Sequence, residues 1–101
     1  MFTIIFEKGR KKKEVHTKGN ELYLCQSNQQ KYHLLSQLDT EDIDVFSSLD
    51  MPLLITELKE VSTTLEGTEL KHINDIILLA EECAKFKKST LTFNPFIGNV
   101  V

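Results

Sequence analysis

The sequence predicts an α+β fold: a mostly antiparallel sheet of four to five strands with two helices packed on one face, in the order β-β-β-(β)-α-α-β. Three observations carry that expectation. The chain opens on FTIIFEK, where Phe2, Ile4 and Phe6 alternate with Thr3, Ile5 and Glu7, the period of a strand. After Asp50 the apolar residues change to the i, i+3, i+4 spacing of helices. STLTFNPF, at 89–96, then returns to alternation.

Each element follows from local chemistry. Gly9 ends the first strand, and KKKEVHT reads as a more polar second strand folding back on it. Gly19-Asn20 is a turn signal, and ELYLCQ alternates again, which predicts a strand at Glu21–Gln26. SNQQ is a turn. KYHLLSQL is too short to separate a strand from a helical turn; the reading taken is a strand with Tyr32, Leu34, Ser36 and Leu38 facing one way. The stretch LDTEDIDVFSS then reads as an acidic loop. Beyond it, Met51, Leu54, Ile55, Leu58, Val61 and Leu65 form one helical stripe, with Asp50 placed to cap it and Pro52 in the first turn. Gly67 separates a second helix, with Thr68 as its expected N-cap and Leu70, Ile73, Ile76, Ile77, Ala80, Cys83 and Ala84 as its stripe. Lys85, Lys87 and Lys88 would sit in its last turn, where cations suit the helix dipole. In the closing strand Leu91 and Phe93 point together, and Pro95 suggests a sheet edge. The expected core is Phe2, Ile4, Phe6, Leu22, Leu24, Leu54, Leu58, Ile73, Ile76, Ile77, Ala80, Leu91 and Phe93.

With 101 residues, 41% hydrophobic and 27% charged, the chain fits one folded domain at 1–101 rather than a disordered one. No apolar run approaches the ~20 residues that span a bilayer. The apolar FTIIFE precedes the basic GRKKK, the reverse of an export signal, so a cytoplasmic location is expected. Two cysteines without CxxC spacing, Cys25 and Cys83, read as reduced thiols rather than a disulfide.

Catalytic and metal chemistry find little support. Nothing specifies that Cys25 meets His33, and His16, His33 and His72 fall on three elements without ligand spacing. The acids at 39–44 lack the glycine and the final glutamate of a calcium loop. No phosphate-binding glycine motif is present. The expectation is therefore no enzyme, no metal and no cofactor. GRKKK, at the Gly9–Lys13 turn, is more often a solvated turn or edge protection than a nucleic-acid contact, and most of the remaining protein is acidic.

Charge is the informative feature. Residues 1–20 carry six bases and two acids, whereas residues 21–101 carry six bases and thirteen acids. From Tyr32 to Leu58 there are six acids (Asp39, Glu41, Asp42, Asp44, Asp50, Glu57) and no Lys or Arg. Such a surface would attract a basic partner and repel acidic ones. Of the apolar residues inside it, Phe46 is expected in the core, with Ile43 and Val45 divided between core and surface.

The run LLSQLDTEDIDVFSSLDMPLLITELKEV carries a resemblance. Leu35, Ser36, Leu38 and Asp39, then Val45 and Phe46, then Leu54, Ile55, Glu57 and Leu58 resemble a segment of small bacterial immunity proteins of contact-dependent inhibition and related polymorphic toxin systems. The similarity extends over about residues 32–98, its specific part being the middle segment. It departs from the family pattern at Gly98-Asn99, where relatives often have Gly-Asp, and at the basic hairpin. The resemblance implies an acidic, cytoplasmic, non-enzymatic protein that binds and neutralises a cognate toxin domain, commonly a basic nuclease. The six acids named above are then the candidate partner-binding residues, on a chain expected to be a monomer that contacts neither nucleic acid nor membrane directly. A homodimeric regulatory or adaptor protein is the alternative, with a small enzyme of unrecognised site behind it.

Overall fold

A computed structural model of the chain describes residues 1–96. Its sheet has four strands, β1 (Thr3–Lys8), β2 (Lys11–His16), β3 (Asp44–Ser47) and β4 (Thr90–Asn94), in the order β2-β1-β4-β3. All neighbours are antiparallel. The helices are α1 (Glu21–Leu24), α2 (Met51–Ser62) and α3 (Gly67–Lys85). The α+β architecture expected from the sequence is thus present, with four strands. No described helix is long and apolar enough to cross a membrane.

Pairing of Lys8 with Lys11 leaves Gly9 and Arg10 as the turn, and Gly9 at φ 58 supplies the left-handed residue that such a tight hairpin needs. Strands β1 and β4 are central and turn Ile4, Phe6, Leu91 and Phe93 inward, all fully buried. Phe93 meets Phe2 and Phe46 edge-on, with centroids 6.4 and 5.7 Å away. Helix α3 lies across β1, β2 and β4, and α2 packs beside it. Met51, Leu54, Leu58 and Val61 from α2 join Ile73, Ile76, Ile77, Leu79, Ala80 and Cys83 from α3 in one core. Ile73, Ile76, Ile77, Ala80 and Cys83 of the expected α3 stripe are therefore used inside the monomer, whereas Ala84 is exposed.

Between β2 and β3 the structure corrects the sequence reading. Glu21–Leu24 is one helical turn, not a strand. Tyr23 and Leu24 are both buried while Leu22 is 85% exposed, so Leu22 leaves the expected core. Two adjacent inward residues suit a helix; a strand would turn them apart. A strand here would also find no place beside β1, which already has β2 and β4 as neighbours. Tyr32–Leu38 is likewise a turn followed by a 3-10 turn at Leu35–Gln37. It still buries Tyr32, Leu34, Leu35 and Leu38.

Other differences are smaller. Asp44–Ser47, read as loop, is strand β3. A 3-10 turn at Ser48–Asp50 precedes α2, and the Asp50 carboxylate accepts the Ser47 N–H at 2.9 Å instead of capping α2. Helix α3 starts at Gly67 after an extended Glu66, so Thr68 lies inside it; Lys87 and Lys88 lie beyond its end. Leu65 falls past α2 and is half-buried against the core. Pro95 follows a central strand, because β3 lies outside β4. The expected strand through residues 89–96 is ordered as strand only over Thr90–Asn94.

Candidate partner-binding surface

The acidic stretch leads into and forms the outermost strand on one side of the sheet. Asp39 shapes the approach: its Oδ1 accepts the Glu41 N–H at 2.9 Å, and its carbonyl accepts the Asp42 N–H at 3.3 Å. That turn leaves the side chains of Glu41 and Asp42 exposed. Asp44, the first residue of β3, is half-buried, and its Oδ2 has no hydrogen-bond partner among the described residues. Desolvation, followed by the charges of Asp42 and Asp39, pushes its carboxyl above the usual range.

Two of the six candidate acids serve the fold. Glu57 is 3% exposed, and its carboxylate accepts the N–H groups of Leu34 at 3.1 Å and Leu35 at 2.9 Å. It satisfies a segment that has no strand partner, so it is withdrawn from the binding surface. Asp50 is half-buried and occupied by Ser47. Asp39, Glu41, Asp42 and Asp44 remain together.

Beside them lies an apolar set that the charge pattern did not reveal. Ile43, Val45, Leu49 and Leu53 are 49, 59, 88 and 44% exposed, whereas Phe46 is 4% exposed in the core. The sequence signal was present: Asp42, Ile43, Asp44, Val45 and Phe46 alternate, with Ile43 and Val45 facing away from Phe46.

The basic hairpin leans on α3. Lys11 and Lys13 both reach Glu82 at 3.0 Å, and Lys8 Nζ lies 3.7 Å above the Phe86 ring. Hydrogen bonds from Lys11 and then Lys13 hold the Glu82 carboxyl below its usual range. A shallow depression of about 440 Å³ lies nearby, lined by Leu78, Glu81, Glu82, Lys85 and Phe86.

The histidines and cysteines fall apart. Among the described residues no hydrogen bond links Cys25 to His33, and no three His, Cys, Asp or Glu side chains are grouped as metal ligands. Both cysteines are free; desolvation raises the thiol pKa of each. Buried His72 belongs to a structural network. Asn20 accepts the Phe2 N–H at 2.7 Å and donates to the Phe2 carbonyl at 2.8 Å. That pairing fixes the amide orientation, so its Nδ2 also donates to His72 Nε2 at 3.2 Å, and the imidazole must be neutral with its proton on Nδ1. Burial accordingly pushes the His72 pKa down. Burial raises that of neighbouring Tyr23 to about 12.

No family model, curated protein or solved structure matches the chain.

Proposed function

We propose that this protein is an immunity protein that neutralises a cognate toxin domain, a basic nuclease by charge, by stoichiometric binding through the surface from Asp39 to Val45. One observation carries the reading. Exposed acids at 39, 41 and 42 border the exposed apolar residues Ile43 and Val45, while Lys11 and Lys13 of the hairpin are engaged on α3. A phosphate-binding enzyme surface is basic, and an acidic patch with an apolar margin complements it in charge and in desolvation. The family resemblance of residues 32–98 points the same way and carries cytoplasmic action with it. Catalysis has no part in this reading, so Cys25→Ser and His33→Ala variants that fold should protect as well as wild type.

Co-expression with the polypeptide encoded directly upstream tests the proposal. A stable one-to-one complex that silences a toxic activity supports it. Absence of any complex, or protection lost in folded Cys25→Ser or His33→Ala, contradicts it.

A further inference from the structure

We infer that the outer edge of β3 is a strand-addition site, taking an extended basic segment of the partner protein through the backbone of Val45. The inference rests on the reading of a basic partner, though not on that partner being a toxin. Strand β3 pairs with β4 alone, through Asp44 with Phe93, Val45 with Thr92, Phe46 with Leu91 and Ser47 with Thr90. The Ser47 N–H is held by Asp50 at 2.9 Å, so it points away from β4. Along an antiparallel ladder the bonding direction alternates, so Val45 also turns its N–H and C=O away from β4. Asp50 thus closes one end of the edge and Val45 is its open position.

Charge selects the occupant. Lysines are the usual protection of an exposed edge, and β3 has none; β2, at the opposite edge, has three. A second copy adding through β3 would offer these acids no base, since residues 32–58 contain no Lys or Arg. An extended segment with lysines or arginines gains main-chain hydrogen bonds from Val45 and charge complementarity from the acids. Exposed Ile43 and Val45 offer apolar contact to its alternate side chains.

The probe is a seven-residue peptide alternating lysine and valine, compared with one alternating glutamate and valine. Amide shifts and hydrogen exchange of the whole chain are followed by NMR at low ionic strength. The lysine peptide should shift the amides of β3 and slow exchange at Val45, and the glutamate peptide should do neither. Val45→Pro removes an N–H that β4 does not use, so the fold should survive and binding should weaken about tenfold, one hydrogen bond's worth. Val45→Thr keeps the N–H and should bind as wild type. Shifts confined to β2 or the helices, equal response to both peptides, or undiminished binding by Val45→Pro would overturn the inference. A dimer with Val45 protected before peptide is added would place a second copy there and overturn it too. In a complex with the upstream-encoded domain, an unprotected Val45 sinks the edge site and leaves the toxin reading standing. A positive peptide result with no such complex does the reverse.

Discussion

The two edges of the sheet are built differently. Strand β2 is six residues long, carries Lys11, Lys12 and Lys13, and sends two of those lysines to Glu82 on α3. Strand β3 is four residues long, follows three acids and begins on a fourth, leaves Ile43 and Val45 exposed, and has no lysine. Each is anchored by one buried polar side chain from a distant part of the chain. Asn20 ties the segment leaving β2 to Phe2, and Glu57 ties the segment approaching β3 to α2. One edge is closed by charge and the other is held open by its surroundings, and that contrast is where a function can reside.

The largest expected effect lies at the β3 anchor. Glu57→Ala leaves the Leu34 and Leu35 N–H groups buried without their acceptor, and should cost about 3 kcal/mol. Chemical denaturation checks it, and a loss below 1 kcal/mol would mean that water replaces the carboxylate. Glu57→Gln should fall between, since its amide oxygen still accepts.

The β2 anchor gives a pH dependence. His72 has a depressed pKa in the folded state against 6.5 ordinarily, so the unfolded chain takes up the proton first. The His72 contribution is intact above pH 6.5 and is lost as pH falls from there through the folded-state value. Protonation would set an N–H against the Asn20 donor. Thermal midpoints of wild type and His72→Gln should therefore diverge less at pH 5 than at pH 8. A constant gap would remove His72 from the network.

How much of this was legible in sequence follows from where the contacts lie. Strands β1 and β4 and helices α2 and α3 are periodic over enough residues to declare themselves. The 21–38 region is not, because ELYL and KYHLLSQL are short apolar runs whose conformation is decided elsewhere. Asn20 acts on Phe2 eighteen positions away, and Glu57 on Leu34 twenty-three away. Strand β3 was hidden because its acids read as loop. The charge pattern put Asp39, Glu41, Asp42 and Asp44 in one group with Glu57 and could not separate them, since charge alone says nothing of burial. Val45 could be found only once β3 was seen to be an edge.

Smaller effects sharpen the contrast between the edges. Transplanting the β2 device, as Val45→Lys, should change stability by less than about 0.5 kcal/mol because the site is exposed, yet abolish partner binding. Retained binding would argue against use of this edge. On the other side, Glu82→Gln should lower the thermal midpoint only slightly, and less at high salt, since its lysine pairs are exposed.

The central claim is that the acidic edge recognises a basic partner, and the association rate tests it most directly. The triple variant Glu41→Gln, Asp42→Asn, Asp44→Asn should keep its fold, with stability rising slightly because Asp44 loses a partly desolvated charge. Stopped-flow association with the upstream-encoded domain is measured for wild type and variant at low and high ionic strength. The expected result is a wild-type rate that falls steeply with salt and a variant that is slower and nearly salt-independent. Equal rates at both salt concentrations would contradict the claim and leave residues 38–48 a solvated margin of the sheet.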